Sequence, residues 1–418
     1  MELTGHLKFA YLLIFCLFIL RLQFLPRLNL QNGQLIRVTG ILAEEPQTSG
    51  NRQSFHLGRI EVWTEKFPEH HYGDKLEVIG KIKVQNYPLG SFINPLISFE
   101  NYWLSYPKIS DVTGTTGITS IGGLAINLRN QLKKVYQQSL PSPLDGILTG
   151  IVLGDKNLIP QDLWQKLKQT GTLHIMVASG MNIAFFSGPV LSLLALFFKR
   201  RIAIILLFTV IWFYSLVTGL QPPIVRAAIM ASLVYFSHLV GREAEGGWVL
   251  FLTAVLMLFL NPLLFFDIGF RLSFLATAGL IYLSPKLKAT HFFLFRQETF
   301  TSSVAAQLAT LPILVASFGQ LNLISPLINL TILWCVPLIL QLGIIVGLIG
   351  LFWQNLGQVS SYFLLPFLIF IKQIVDWSAK MALFQVLLPE VKWFWWLGYY
   401  CLLGWWIKRH QFEICGKY

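Results

Sequence analysis

The sequence predicts a polytopic α-helical membrane protein of about ten spans with a small extracytoplasmic OB-like β-domain. Three observations predict it. Of 418 residues, 54% are hydrophobic and 12% charged, and the mean hydropathy of +0.60 is too apolar for a water-soluble core. Apolar runs of about 20 residues, enough to cross a bilayer as helix, recur from Thr172 onward between short polar or Pro/Gly-marked turns. Between Gln34 and Ser105 the texture changes to a period-two alternation rich in β-branched residues.

The first element, residues 1–30, is the apolar run Leu7 to Leu20, flanked by Lys8, Arg21 and Arg27. No small-residue cleavage site follows, which predicts an uncleaved span. In residues 31–110 the segments IRVTGILAEE, SFHLGRIEVW and DKLEVIGKIKV alternate between turn signals at Thr48 to Asn51 and at Gly73 and Asp74. Short half-buried strands follow, and several of them in so short a stretch suit an OB-like barrel. Residues 111–171 begin with a Thr- and Gly-rich linker to Gly123. Leu124 to Leu140 then sets apolar residues at helical spacing opposite Arg129, Lys133 and Lys134, the pattern of a helix lying in the membrane interface. Two short helices follow, Pro143 to Leu153 and Pro160 to Gln169.

Residues 172–410 hold the predicted spans at 173–197, 202–218, 223–240, 248–265, 268–284, 303–318, 326–352, 359–375 and 393–407. Lys199, Arg200 and Arg201, then Arg242, then Lys286, Lys288 and Arg296, then Lys408 and Arg409, fall on one side. The alternate loops TGLQPP, NPLLFF and GQLNLIS carry no Lys or Arg. The bias predicts a multi-pass protein of the bacterial cytoplasmic membrane, with the basic loops and C-terminus inside and the β-domain outside. The same bias accounts for much of the net charge of +12, which also suits an anionic partner.

Cys16, Cys335, Cys401 and Cys415 show no pairwise spacing and read as small hydrophobes, not as disulfides or a zinc site. His70, His71 and Asp74 form the one compact metal-like cluster. Without a third well-spaced ligand it reads as a solvated turn, and no cofactor is expected.

Polar side chains inside spans are the strongest functional signal, because each must find a partner or a water-filled cavity. They are His174, Ser179 and Asn182 on one span, Gln221 and Arg226 at the mouth of another, Asp267 and Arg271 on a third, Gln307 on a fourth, and Gln320 in the loop behind it. Asp267 and Arg271, four apart, can pair on one helical face or line a channel. Arg226, one turn into a helix begun by Pro222 and Pro223, can snorkel to the interface or face inward. Ser179, Asn182 and Gln307 can bond between helices or line the route. Their shared depth predicts a polar vestibule open to the outside, narrowing toward an inner half containing Gln307.

The residues resemble the ComEC family of competence proteins over nearly the whole chain. LTGIVLGDKNLIPQDLWQKLKQTGTLHIMVASGMNIAF at 148–185 resembles its Leu-Gly-Asp turn, amphipathic helix and His-x-x-x-x-Ser-Gly entry to the core. TGLQPPIVRAAIMA at 218–231 resembles its Gly-x-x-Pro-x-x-x-Arg-Ala segment. NPLLFFDIGFRLSFLATAGL at 261–280 and AAQLATLPILVASFGQLNLISPLINL at 305–330 resemble two more, and Ile36 to Ile82 resembles its OB-like domain. The resemblance implies a channel for single-stranded DNA across the cytoplasmic membrane in natural transformation, with Arg226 attracting phosphate and Arg271 assisting. Trp63 and Tyr72 can stack bases or pack within the barrel. Asn182 stands where the family usually has His, and Arg271 where Gln is usual. The sequence ends shortly after its last apolar run, where many members continue into a metallo-β-lactamase-like domain, and it has no His-x-His-x-Asp-His run. A separate nuclease is therefore expected among the other competence proteins. So is a cytoplasmic motor or DNA-binding protein, since no Gly-x-x-x-x-Gly-Lys-Ser loop is present.

Two rivals remain. A transporter of another small-molecule or polymeric substrate uses the same polar spans. An intramembrane serine protease is suggested by Ser179 and Gly180, which resemble the Gly-x-Ser-Gly of rhomboid proteases, with His238 as partner. Val177 replaces the first glycine, and His238 is expected at the opposite end of its span.

Overall fold

The computed structural model describes residues 30–42, 46–49, 52–58, 60–68, 70, 73–86, 100–111, 121–176, 179–289, 297–318, 320–322, 324–380, 385–387, 396 and 398–406. The first predicted span, most of the Asp111 to Gly123 linker, His71, Tyr72, Arg296, Lys408 and Arg409 lie outside the described residues.

The alternating segments form strands. β1 (Leu35–Ile41), β2 (Gln47–Ser49), β3 (Arg52–Leu57), β4 (Ile60–Glu65), β5 (Lys75–Asn86), β6 (Glu100–Ser105) and β7 (Lys108–Asp111) make one sheet in the order β1-β5-β6-β4-β3-β2, with β7 also on β5. The pairings are antiparallel except β4 with β6. β5, 12 residues long, pairs β1 and β7 through its first half and β6 through its second, so one strand ties both halves of the sheet. Every second residue points inward, and Phe55, Leu57, Ile60, Val62, Leu76, Val78, Ile82 and Leu104 close a core of their own. His70 is buried edge-on against Phe55, which makes it a core histidine.

The helical body is built around α2 (Leu144–Leu153), whose ten residues are all buried. α1 (Ile121–Ser139) runs beside it. Leu132, Val135 and Tyr136 of α1 lie over Gly347 and Gly350 of α13 (Val336–Phe352), and Tyr136 Oη donates to Gly343 O at 2.9 Å. The apolar face of α1 thus meets protein, in the largest hydrophobic core among the described residues. α3 (Gln161–Thr170) and the single turn α4 (Leu173–Met176) lead into α5 (Gly180–Phe197), α6 (Arg200–Val217), α7 (Pro222–Val240) and α8 (Gly246–Leu260). A 3-10 turn, Pro262–Phe266, precedes α9 (Ile268–Tyr282), α10 (Ser284–Lys288) and α11 (Glu298–Phe318). β8 (Gln320–Asn322) pairs with β9 (Gln385–Leu387) across α12 (Ser325–Ile332), α13, α14 (Gln354–Ser361) and α15 (Leu365–Lys380).

Among the described residues α5, α6, α7 and α11 are long and apolar enough to cross a membrane, and two bent pairs, α12 with α13 at 46° and α14 with α15 at 50°, raise the number to six if each is one span. The predicted spans 248–265 and 268–284 shrink to 15-residue helices, about 22 Å long at 1.5 Å per residue, because Asn261 and Pro262 stop α8 early. The predicted span 173–197 is broken at Ser179, and 326–352 is broken ahead of Pro337.

Pro189 and Pro312 lie inside α5 and α11, and each removes the donor for the carbonyl four residues back. Side chains supply the missing donors. Gln341 Nε2 donates to Phe185 O at 3.4 Å, and Tyr399 Oη donates to Leu308 O at 2.8 Å. With Tyr400 Oη on Ala309 O at 3.1 Å, the second bond fixes the helical segment 398–406 against α11.

α9 and α11 touch through Gly279, where an added Cβ would stand 2.6 Å from Ala305 O and 2.7 Å from Ala309 Cβ. Gly279→Ala is expected to force the two helices apart at an overpacking cost of about 1–3 kcal/mol. Thermal unfolding of the detergent-solubilised protein should fall by several degrees, whereas Gly188→Ala, with nothing within 4 Å of its Cβ, should not lower it.

Candidate functional site: the polar cluster at the end of α2

α2 ends at Gly154, whose φ of 72° takes the left-handed conformation that glycine adopts freely. A helix end leaves its last carbonyls without intrahelical donors, and here no water-exposed surface is at hand to receive them. Side chains from four elements do so. Asn182 Nδ2 on α5 donates to Ile151 O at 2.6 Å, and Tyr214 Oη on α6 donates to Val152 O at 2.8 Å. Arg129 Nη1 on α1 donates to Leu153 O at 2.7 Å, and Gln221 Nε2, just ahead of α7, donates to Gly154 O at 2.8 Å. Arg129 Nη1 also reaches Val217 O at 3.0 Å, so one cation answers the negative ends of both α2 and α6.

The next residue, Asp155, is 1% exposed and pairs with Lys133 Nζ at 2.6 Å while its Oδ1 accepts the Asn157 N–H at 3.0 Å. Burial pushes its carboxyl up, but the charges of Lys133 and Arg129 and the hydrogen bonds it accepts outweigh burial and hold it below the usual carboxylate value.

Arg226 lies one turn into α7 and is 5% exposed, so it turns inward and does not snorkel. Its guanidinium lies over the ring of Phe274 on α9, 5.5 Å from the centroid. Its Nη2 comes within 3.7 Å of the position a Cβ on Gly180 would occupy, against the first turn of α5. Gly180 is glycine for a packing reason: that Cβ would stand 3.2 Å from Ala227 Cβ and 3.4 Å from Pro223 O. Ser179, the N-cap of α5, makes no capping bond with its side chain.

The other predicted residues are placed as follows. Asp267 caps α9, its carboxylate accepting the Phe270 N–H at 2.6 Å, so this acid answers an orphan donor of its own helix. Arg271 is exposed one turn further on, and His174 is exposed on α4. Gln307 is half-buried on α11, and Gln320 opens β8 opposite Leu387. The structure therefore groups Asn182 with Gln221 at the end of α2, and Ser179 with Arg226 at the start of α5. His238, in the last turn of α7, is 12 residues beyond Arg226, about 18 Å by helical rise, which separates it from Ser179.

Arg129 and Tyr214 belong to the cluster although the sequence does not single them out as site residues. A cavity of about 490 Å³ lies elsewhere, between α3 and α15, lined by Asp162, Gln165, Lys166, Gln169, Asp376 and Lys380. Lys166 Nζ bridges its two acids, at 2.7 Å from Asp162 and 3.0 Å from Asp376. None of the residues predicted to line a route borders it. Among the described residues no group of three metal-ligating side chains is found.

The family model described as Competence protein matches residues 151–412, which contain all of α3 to α15. The chain is 28% identical over 206 residues to ComE operon protein 3 of Bacillus subtilis, a match covering 49% of this chain and 26% of that protein. It is 26% identical over 263 residues to competence protein ComA of Neisseria gonorrhoeae, covering 58% of this chain and 36% of the relative. Recombination protein 2 of Haemophilus influenzae matches at 25% identity over 174 residues, 38% of this chain and 22% of the relative. The chain thus spans well under half the length of these relatives. No solved structure matches it.

Leaving one buried carbonyl at the end of α2 unanswered costs about 1–3 kcal/mol. Tyr214→Phe and Asn182→Ala are each expected to lower thermal stability by that amount in a melting experiment. For Asp155 the folded value lies below the unfolded one, so its stabilisation is complete above about pH 4 and is lost as pH falls through the folded value. Asp155→Asn should therefore destabilise the protein at neutral pH, and the difference from wild type should shrink in acid.

Proposed function

The chain belongs to the competence-protein family, and we propose that it forms the route by which single-stranded DNA crosses the cytoplasmic membrane during natural transformation. One observation carries the reading: the inverted burial of α5 and α7. Only 17% of α5 and 22% of α7 is buried inside the protein. Their exposed faces are apolar, with Leu193, Leu196, Phe197, Phe236 and Val240, while Asn182 at 2%, Ser187 at 3% and Arg226 at 5% are among the few positions turned inward. Asn182 and Ser187 answer partners within the protein, and the inward guanidinium of Arg226, without an acceptor among the described residues, suits an anionic cargo.

A polyanion in a low-dielectric layer needs a cation near its entrance, and Arg226 supplies one. In this reading the basic loops at 199–201, 242 and 286–288 lie in the cytoplasm, and the polar cluster, the first turn of α5 and the OB-like sheet face outward. His174, Asp267 and Arg271 then stand at the mouth, while Gln307 and Gln320 belong to the helix and loop beside it. Other competence proteins, among them a cytoplasmic motor or DNA-binding protein, are its partners in this reading. A transporter of another cargo is the rival reading, since it would use the same polar spans.

Deleting the gene from a naturally transformable host should abolish nuclease-protected uptake of labelled DNA while surface binding persists. Undiminished transformation would retire the channel reading in favour of another cargo. In the same host Arg226→Gln, at equal protein level, should lower transformation roughly tenfold to a hundredfold, the range set by losing a hydrogen bond to a charged group.

A further inference from the structure

Arg226 carries the wrong sign for its place. Its Nη2 lies against Gly180, the first residue of the 18-residue helix α5. The N-terminus of a helix bears partial positive charge and stabilises an anion. A buried guanidinium is set there instead. Among the described residues no carboxylate, carbonyl or hydroxyl is bonded to it, and the ring face of Phe274 lies against it. An aromatic face is a partial substitute for an anion, not an equivalent. Beside it, Ser179 occupies the N-cap position yet its hydroxyl makes no capping bond. The break between α4 and α5 thus brings together a helix N-terminus, an uncommitted hydroxyl and a guanidinium, with no anion among the described residues to balance them.

We infer that the first turn of α5, the Ser179 hydroxyl and the Arg226 guanidinium form a seat for one phosphodiester of the single strand. The inference rests on the reading of DNA as cargo. The chemistry fits a phosphodiester closely: a planar fork meets two of its oxygens, and helix N–H groups meet them from the other side. Gly180 is part of the seat, because any side chain there stands between the fork and the helix end. Phe274, tilted against Phe270 at 4.3 Å between ring centroids, holds the fork at its level. One such seat grips a strand one nucleotide at a time and lets it move on, as conduction requires.

The test uses the full chain in nanodiscs of zwitterionic lipid, with a fluorescent oligothymidylate as probe and anisotropy as readout across a salt series. Arg226→Gln is expected to weaken binding about tenfold and to reduce the salt slope by about one, as loss of one phosphate contact does. Ser179→Ala should weaken it less, and an uncharged methylphosphonate oligomer should bind the wild type and Arg226→Gln alike, a comparison that holds even if a variant folds poorly. Equal affinity and slope for wild type and both variants would overturn the seat. So would recovery of the Arg226→Gln phenotype in wild type when phosphatidylglycerol is added to the disc, because the seat would then belong to a lipid phosphate. Either result leaves the channel reading standing if gene deletion still abolishes uptake, so the two failures are told apart.

Discussion

The fold depends on a problem that a buried helix end creates. α2 is surrounded on all sides, so the carbonyls of Ile151, Val152, Leu153 and Gly154 cannot turn to water. In an apolar body each must be met by a donor, and here each is met by a different element. Every capping bond is therefore also a positional constraint. Asn182 fixes the first turn of α5, Tyr214 the last turn of α6, Arg129 the upper half of α1, and Gln221 the start of α7. Four helices are registered on one helix terminus.

The same rule recurs where prolines interrupt α5 and α11. The carbonyls freed at Phe185 and Leu308 are not left in an apolar interior; Gln341 and Tyr399 reach them from other helices. These pairs sort the polar side chains of the helical body into two kinds. Asn182, Gln221, Tyr214, Gln341 and Tyr399 are donors answering identified acceptors, and their presence in apolar surroundings is explained by those acceptors. Arg226 answers none among the described residues. A structural account of the first group thus sharpens the functional account of the second, because a buried cation without an acceptor is the costly case.

Much of this was legible in the sequence, and what was not has a physical reason. The β-domain showed in the period-two alternation from Ile36 onward and the helix start at Pro222 followed from chain geometry, whereas the stop at Asn261 falls inside the expected span 248–265. Asn182, Gln221 and Arg226 stood out as polar groups in apolar runs. Their roles did not, because Asn182 and Gln221 meet carbonyls 31 and 67 residues away, and only tertiary packing supplies those acceptors. Arg129 was read as part of a charged face along α1, since an amphipathic pattern cannot distinguish water from a partner helix end that also wants a cation. Tyr214 sits in a run of apolar and aromatic residues, and nothing local marks its hydroxyl as a cap. The bends ahead of α13 and α15 were likewise hidden inside uninterrupted hydropathy.

Two independent supports converge on the same charge. On one side the α2 cap holds α5 and the start of α7, and with them Gly180 and the backbone of Arg226. On the other, Asp267 caps α9 through the Phe270 N–H, Phe270 packs at a tilt against Phe274, and Phe274 carries the guanidinium. A long flexible side chain ordinarily samples many rotamers, and ordering it opposes binding entropically. Here the backbone and the head group of Arg226 are each held by a separate capped helix, so that ordering is met when the protein folds and not when an anion arrives. The two caps therefore act on the site without touching a ligand: each sets one end of a buried cation that lacks an acceptor among the described residues.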